Sequence, residues 1–324
     1  MSLHSASRGT MVSAGAIVSG GLSAALFAVA LMHVGTMIVF LAYIAGLPLF
    51  IAGLGFGNMA GIGAAVVGAV GLYVMQSPSF AMAYTLLDAA PAILLIILAM
   101  RHRIGSDQKV YWYPEGFLMT ALALYPCLIF ISIVALTWDQ SGGLLALTIN
   151  TLQDMVEALK PQMDADVTLQ LSSRVDVFAK LLPAFTGCAW MIITMLCFAL
   201  SQNILAHFHK NVRTSFSLQE LHIPTWMVLS VALTGLLGMM APAPYNYIGL
   251  NLSIMLGTPF VFVGLAVVHA WALTTKSPKI ILTIFYVLAS MIVWSVLVVA
   301  TLGVIDQWFN FRQRLAIRPK AHLS

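Results

Sequence analysis

The stretch YNYIGLNLSIMLGTPFVFVGLAVVHAWAL, residues 245–273, decides the fold class, because none of its 29 residues is Asp, Glu, Lys or Arg. A membrane-spanning helix needs about 20 apolar residues, so the stretch is long enough for one crossing and too short for two. The Gly257-Thr258-Pro259 break leaves a re-entrant segment as an alternative, because proline lacks the amide and disfavours helix in the residue before it. We favour one long, kinked helix.

The rest of the chain has the same apolar character. Of its 324 residues, 60% are hydrophobic and 8% are charged, and the mean hydropathy is +0.96. A soluble domain needs far more charge to cover its surface, so the composition predicts an all-α, polytopic transmembrane helical bundle in a lipid bilayer. The net charge of +4 comes from clusters beside apolar runs, which does not indicate binding to nucleic acid.

Eight or nine membrane spans are predicted. Residues 1–206 form a six-span region that includes an outer segment, and residues 207–324 form a C-terminal region of two or three spans with a basic tail. The candidate spans are roughly 14–35, 37–55, 58–76, 80–100, 116–137, 181–206, 224–241, 245–273 and 280–304.

Lysine and arginine orient the chain, because cytoplasmic loops carry an excess of both. Arg101 and Lys109 mark one such loop, and Lys210 and Arg213 mark another. They put the N-terminus in the cytoplasm and residues 138–180 outside, where six of the eleven acids but three of the fifteen cations lie. We expect a multi-pass protein of the bacterial inner membrane.

The basic tail conflicts with this orientation. Nine spans would put the cations at 312–320 outside, whereas eight would put them inside and leave Lys276 and Lys279 outside. The side of the C-terminus therefore stays open.

The outer segment, residues 138–180, is predicted to form two amphipathic helices, because apolar residues alternate at spacings of four and three. The two stripes are Leu145, Ile149, Leu152, Val156 and Leu159, and Leu171, Val175, Phe178 and Leu182. These helices either cap a cavity or form a hairpin parallel to the membrane with no gating role.

Asp88 is the most informative residue for function. It lies about eight residues into the fourth span, roughly 12 Å deep at 1.5 Å per residue, where an ionised carboxylate costs several kcal/mol unless it is paired, hydrated or protonated. Pro91 follows, so nearby backbone carbonyls are expected to be partly free. Asp88 is either a ligand, ion or proton site or a carboxylate bonded to a neighbouring helix. His33 either approaches Asp88 or is an ordinary interfacial residue.

Asn251 is the second candidate for a site. It shares a helix face with Tyr247 and Met255 at four-residue spacing, and a buried amide must find partners. It either bonds to a neighbouring helix or contacts a small-molecule ligand together with Tyr247. No Walker A, H-E-x-x-H or G-x-S-x-G motif is present, and we expect neither enzymatic activity nor a cofactor or metal.

Small residues recur every four positions along the first span, at Ala16, Gly20, Ala24 and Ala28. Such stripes let helix backbones approach closely in lipid, where packing replaces the hydrophobic drive. The stripe serves either internal packing or the docking of another membrane subunit.

Five motifs resemble the YybS-like bacterial membrane proteins, a family of unknown function. The resemblance runs over roughly residues 12–315 and is weakest over 138–180. The motifs are LPLFIAGLGFG (47–57), DAAPAILLI (88–96), WMVLSVALTGLLG (226–238), YIGLNLSIMLGTPFVFVGLAVVHAW (247–271) and GVIDQWFNFRQR (303–314).

The first six spans also resemble the substrate-binding components of energy-coupling-factor transporters. Those proteins have six helices, and an alanine-rich first helix docks on a membrane coupling subunit that works with an ATPase. The resemblance implies a transporter-like protein with the stripe as docking face, although this chain adds about three spans and the outer segment. The alternative function is a non-transporting scaffold or an assembly factor for an envelope complex.

Overall fold

The computed structural model describes residues 3–32, 44–213, 221–292 and 294–317. The chain divides into two compact units, each built from two chain segments. Unit 1 comprises Met1–Leu122 and Trp190–Ser217, and unit 2 comprises Ala123–Ala189 and Leu218–Ser324. The predicted division into residues 1–206 and 207–324 stays a prediction.

Unit 1 contains helices, a π-helical turn and a hairpin. The helices are α1 (Leu3–Met32), α2 (Leu47–Phe56), α3 (Asn58–Met75), α4 (Pro78–Tyr84) and α5 (Ala90–Ala99). The π-helical turn Thr85–Ala89 joins α4 to α5, so that Pro78–Ala99 is one apolar stretch of 22 residues. The antiparallel strands β1 (His102–Ile104) and β2 (Val110–Trp112) follow. The hairpin is not predicted from the sequence, because each strand has only three residues and no buried face.

The small-residue stripe of α1 packs against α3. Ala16, Gly20 and Ala24 are buried and Ala28 is half-buried. A side chain at Gly20 would collide with the backbone carbonyl of Ala64, so glycine is what allows the two helices to lie this close. The stripe thus makes an internal contact, and the docking of a coupling subunit on it stays a prediction.

Two long helices, α6 (Glu115–Leu136) and α8 (Ala165–His207), contribute residues to both units. The other helices of unit 2 are α7 (Gly143–Leu159), α9 (Thr225–Met240), α10 (Tyr245–Ala272), α11 (Pro278–Met291), α12 (Ser295–Phe309) and α13 (Phe311–Ile317).

Five helical stretches in the described ranges are long and apolar enough to cross a membrane. They are Asn58–Met75, Pro78–Ala99, Glu115–Leu136, Asp166–His207 and Tyr245–Ala272. Shorter apolar helices occupy parts of the other predicted spans, at Ala14–Ala30, Leu47–Phe56, Thr225–Met240, Pro278–Met291 and Ser295–Phe309. The prediction of an all-α membrane bundle fits this architecture.

The opening stretch forms one continuous helix. α10 runs through the Gly257-Thr258-Pro259 sequence without a break. Its 28 residues span about 42 Å at 1.5 Å per residue, more than the roughly 30 Å of the hydrocarbon core. The turn that a re-entrant segment requires is absent from this stretch.

Two predicted boundaries are wrong. The predicted span 280–304 is interrupted, because α11 ends at Met291, Ile292 has an extended backbone, and α12 begins only at Ser295. The second amphipathic helix of the outer segment is not separate from the sixth span, because α8 continues through Pro183 as one helix of 43 residues.

Candidate functional site

The π-helical turn that carries Asp88 ends beside a proline break. Pro91 has no amide hydrogen, so the carbonyl of Leu87, four residues earlier, loses its usual helical partner. The indole Nε1–H of Trp190 on α8 donates to this carbonyl at 2.9 Å instead. A neighbouring helix therefore satisfies the break, as proline breaks in membrane helices require.

The Asp88 carboxylate borders a small cavity. The cavity has a volume of about 10 Å³ and is lined by Gly46, Phe50, Leu87, Asp88, Pro91, Thr194 and Cys197, all in unit 1. This volume holds roughly one water molecule. Asp88 is half-buried, and none of the residues that the structure describes donates a hydrogen bond to it.

The N-terminal end of α2 lies beside the same carboxylate. Gly46 is the N-cap of α2, and a Cβ atom placed there would lie 3.5 Å from Oδ1 of Asp88. Helix N-termini carry a partial positive charge that favours a nearby anion. The site thus combines an apolar lining, which favours the neutral acid, with a helix end that favours the carboxylate.

A buried chain of hydrogen bonds lies one helical turn before Asp88. The Tyr84 hydroxyl lies 2.8 Å from Oγ of Ser23, which in turn donates to the carbonyl of Ala45 at 2.6 Å. Because the single serine hydrogen goes to Ala45, Tyr84 is the donor in the first bond. This chain of hydrogen bonds is not predicted from the sequence, although Tyr84 and Asp88 lie four residues apart on one helix face.

Arg213 ties the last turn of α5 to the segment after β2. Its guanidinium donates to the carbonyls of Ala99 at 3.1 Å and Tyr113 at 3.0 Å, and it lies 3.7 Å from the Glu115 carboxylate. Burial lowers the pKa of Arg213, and the Glu115 charge opposes this effect. Since helix-end carbonyls lack intrahelical partners, Arg213 is a structural clamp of unit 1.

Asn251 bridges α10 to α8 at the Pro183 break. Its Oδ1 accepts from the backbone N–H of Ala184 at 2.9 Å, and its Nδ2 donates to the carbonyls of Lys180 at 2.9 Å and Tyr247 at 2.8 Å. Both N–H groups of the amide are therefore used, and the side chain has no exposed surface. The bonds to Ala184 and Lys180 are hydrogen bonds to a neighbouring helix, which is the first of the two alternatives for Asn251. Ligand contact, the second, stays a prediction.

Tyr247 is buried beside Asn251. Its ring packs edge-on against Phe130 with 5.8 Å between centroids, and its hydroxyl lies near Thr148 of α7. That hydroxyl has no well-formed hydrogen bond to any described residue.

The predicted ligand residues fall in different places. Asp88 belongs to unit 1, whereas Asn251 and Tyr247 belong to unit 2. His33 lies outside the described residues. A ligand site shared by these four residues stays a prediction. Within the described ranges, no three histidine, cysteine or carboxylate side chains are grouped so that they could hold a metal ion.

A second carboxylate in an apolar helix, Asp306 of α12, is fully paired. Its Oδ2 lies 2.7 Å from Nε of Arg312, and its Oδ1 accepts from the Arg312 backbone N–H at 3.3 Å. The exposed fractions of the two side chains are 2% and 6%. Arg312, one of the cations of the predicted basic tail, is thus paired within the protein.

The sequence model of one family, described as "Predicted membrane protein (DUF2232)", matches residues 21–307. The chain belongs to this family. The resemblance to YybS-like membrane proteins of unknown function is thereby confirmed. No curated protein and no solved structure matches the chain. Asp88, Asn251 and Asp306 all lie within the residues matched by this family. Together with the family description, the apolar helices of the chain indicate a multi-pass membrane protein.

Proposed function

We propose that the protein is a transport-related protein of the bacterial inner membrane, with a cytoplasmic N-terminus, and that Asp88 is its proton-carrying group. The observation that carries this proposal is an acidic side chain without a donor among the described residues, in a π-helical turn of an apolar helix, beside a cavity of about 10 Å³. Ionisable groups in membrane helices are rare and typically mark ion or proton pathways, and π-turns are frequent at functional sites.

The size and lining of the cavity favour a proton over other ligands. Pockets for small molecules have volumes of about 300–1,000 Å³, far above the volume beside Asp88. Divalent cations such as Ca²⁺ require about six to eight oxygen ligands, whereas the lining offers the Asp88 carboxylate and the Thr194 hydroxyl as side-chain oxygens. The Leu87 carbonyl is already bonded to Trp190.

Two opposing influences on Asp88 suit a group that gains and loses a proton. The apolar side chains of Phe50 and Pro91 favour the neutral acid, and the N-terminal end of α2 favours the anion. One water in the cavity would connect the carboxyl group to a proton donor or acceptor.

Carbodiimide labelling tests the proposal directly. Dicyclohexylcarbodiimide enters apolar sites and adds to a protonated carboxyl group, and mass spectrometry of the purified full chain locates the stable adduct. We expect labelling at Asp88 that declines as the pH rises, and no adduct in Asp88→Asn. Asp306 is the matched control in the same molecule, because its pairing with Arg312 should leave it unreactive. No labelling of Asp88 at any pH between 5 and 9 would contradict the proposal.

Uptake measurements test the transport role separately. In membrane vesicles with an imposed pH gradient, a broad metabolite screen should reveal a substrate whose uptake requires the protein, and Asp88→Asn should reduce that uptake to background. Asp107→Asn in the exposed hairpin is the control. Equal uptake by Asp88→Asn and the unmodified protein would eliminate Asp88 as the coupling group.

A membrane scaffold or envelope assembly factor is the second candidate function. The observation that favours it is α7, an amphipathic helix without a buried residue, whose exposed acids Asp154 and Glu157 could meet an envelope complex. Photo-crosslinkers at these two positions should capture a specific partner in cells. The transport proposal instead expects partners such as a coupling subunit and its ATPase, captured from α1.

A further inference from the structure

The packing of α12 on α10 fixes where α11 lies. A Cβ atom at Gly264 would meet the carbonyl of Val299, and one at Gly303 would meet the carbonyl of Phe260. The two helices therefore run antiparallel, and lower numbers in α12 lie nearer the C-terminal end of α10. One further turn along this register brings Ser295, the first residue of α12, to the last turns of α10.

The beginning and the middle of α11 lie at that same end of α10. Five residues separate Ala272, the last residue of α10, from Pro278, the first of α11. In the middle of α11, the Tyr286 ring lies 5.9 Å from the His269 ring, and its hydroxyl is 3.5 Å from Nε2. A helix whose start, middle and end all lie near one end of α10 runs across the axis of α10.

α11 is also too short to cross a membrane. Its 14 residues make a helix of about 21 Å at 1.5 Å per residue, compared with a hydrocarbon core of about 30 Å.

The two faces of α11 differ in polarity. One face carries Lys279, Thr283, Tyr286 and Ser290, spaced by four, three and four residues. The opposite face is apolar and largely uncovered by the described residues. Its exposed side chains include Ile280 at 61%, Ile284 at 53%, Leu288 at 52% and Met291 at 76%. Amphipathic helices of this kind lie in the interface of a bilayer.

We propose that α11 lies along the membrane surface, with its apolar face in the acyl chains and with Lys276 and Lys279 against anionic lipid headgroups. Both lysines are exposed. This side of α10 is the cytoplasmic side in the orientation predicted with nine spans, and the cytoplasmic leaflet carries the anionic lipids that attract lysine next to a membrane helix. The inference does not depend on the role of Asp88.

Spin labels measure the depth of α11. Single cysteines are placed at 280, 283, 284, 287, 288, 290 and 291 in full-length protein without its native cysteines, in nanodiscs of phosphatidylcholine and phosphatidylglycerol. Oxygen and a water-soluble nickel chelate report the depth of each label. We expect depth to follow the helical period, with positions 283 and 290 in water, positions 284 and 288 in the acyl layer, and the two ends equally deep. A steady increase in depth from 280 to 291 would overturn the proposal, because it indicates a helix that enters the membrane end-on.

Lipid quenching tests the role of the lysines. A fluorophore at 284 is quenched by brominated phosphatidylglycerol or brominated phosphatidylcholine, and the ratio of the two gives the local preference for the anionic lipid. Two lysines near a charged bilayer correspond to a preference of up to roughly 30-fold, which Lys276→Gln with Lys279→Gln should remove. Lys109→Gln, in the exposed hairpin of unit 1, should leave the ratio unchanged. An unchanged ratio in the double variant would overturn recognition of anionic lipid by these lysines.

Discussion

Each unit has a carboxylate within an apolar helix, and the two carboxylates differ in their pairing. In unit 2, Asp306 is paired with Arg312, and Asn251 uses both of its N–H groups on backbone carbonyls. In unit 1, Asp88 borders a cavity and accepts no hydrogen bond from the described residues. An unpaired carboxylate in such a helix costs free energy. Because the carboxylate of Asp306 is paired and that of Asp88 has no donor among the described residues, the contrast supports the role proposed for Asp88.

The proline breaks show the same contrast. Beside Pro183, the Asn251 amide accepts from the backbone N–H of Ala184 and donates to the carbonyl of Lys180, so a neighbouring helix bonds two backbone groups there. At Pro91, the indole N–H of Trp190 donates to the carbonyl of Leu87. The adjacent Asp88 carboxyl group has no hydrogen-bond donor among the described residues. A proline in a membrane helix therefore does not mark a site unless the groups beside it are left open.

Breaking the ion pair of unit 2 should have the largest effect on stability. Arg312→Leu leaves Asp306 buried without its partner, and we expect a loss of about 3–5 kcal/mol in the free energy of unfolding. Unfolding of the full chain in mixed micelles, followed by tryptophan fluorescence, measures it. Arg314→Leu, at an exposed position, should cost little, and Asp306→Leu combined with Arg312→Leu should recover most of the loss. Similar losses for Arg312→Leu and Arg314→Leu would contradict a sealed pair.

Removing the side-chain amide of Asn251 should have the next largest effect on stability. Asn251→Leu removes the side-chain partner of the Lys180 carbonyl and of the Ala184 N–H, so we expect a loss of about 2–4 kcal/mol in the same unfolding assay. Ser253→Ala is the control on the same helix, because the one hydrogen bond of the Ser253 side chain to a described residue goes to the carbonyl of Leu250 at 2.9 Å. A loss no greater than that of the control would mean that Asn251 does not hold α8 and α10 together.

Helical architecture follows from composition and periodicity, whereas its interruptions do not. The absence of charge over residues 245–273 predicts α10, and the spacing of Leu145, Ile149 and Leu152 predicts α7. The break after Met291 is not predictable, because residues 280–304 contain neither a charged residue nor a proline that would end a helix. The contact of Gly264 with Val299, which places α12 against α10, joins residues far apart in the chain, so no local pattern predicts it.

The candidate site is predictable in part for the same reason. Asp88 is recognisable because a carboxylate in an apolar run is rare, and Pro91 predicts the free carbonyl of Leu87. The donor to that carbonyl, Trp190, lies about a hundred residues away in the chain, and nothing local connects the two. Likewise, the pairing of Asp306 with Arg312 depends on the left-handed backbone of Asn310, which turns α13 back toward α12.

Replacing Asp88 should change the free energy of unfolding in the opposite direction from replacing Asp306. Asp88→Leu removes a polar group that has no partner among the described residues, so we expect stability to rise by about 1–2 kcal/mol while carbodiimide labelling and coupled uptake are lost. Asp306→Leu alone should instead destabilise the protein, because it leaves Arg312 buried. A loss of stability in Asp88→Leu greater than about 1 kcal/mol would indicate a partner for Asp88 and remove the contrast between the units.

The smallest effect is expected at the Pro91 break. Trp190→Phe keeps an aromatic ring beside Leu87 and removes the indole N–H, so we expect a loss of about 1 kcal/mol. The freed carbonyl also gives the cavity beside Asp88 a second acceptor, which should hold water there and increase carbodiimide labelling of Asp88. Trp226→Phe is the matched control, since Trp226 is 47% exposed on α9 of unit 2. Equal losses of stability and equal carbodiimide labelling of Asp88 in the two variants would contradict this prediction. They would mean that the hydrogen bond from Trp190 to Leu87 does not limit access to the cavity.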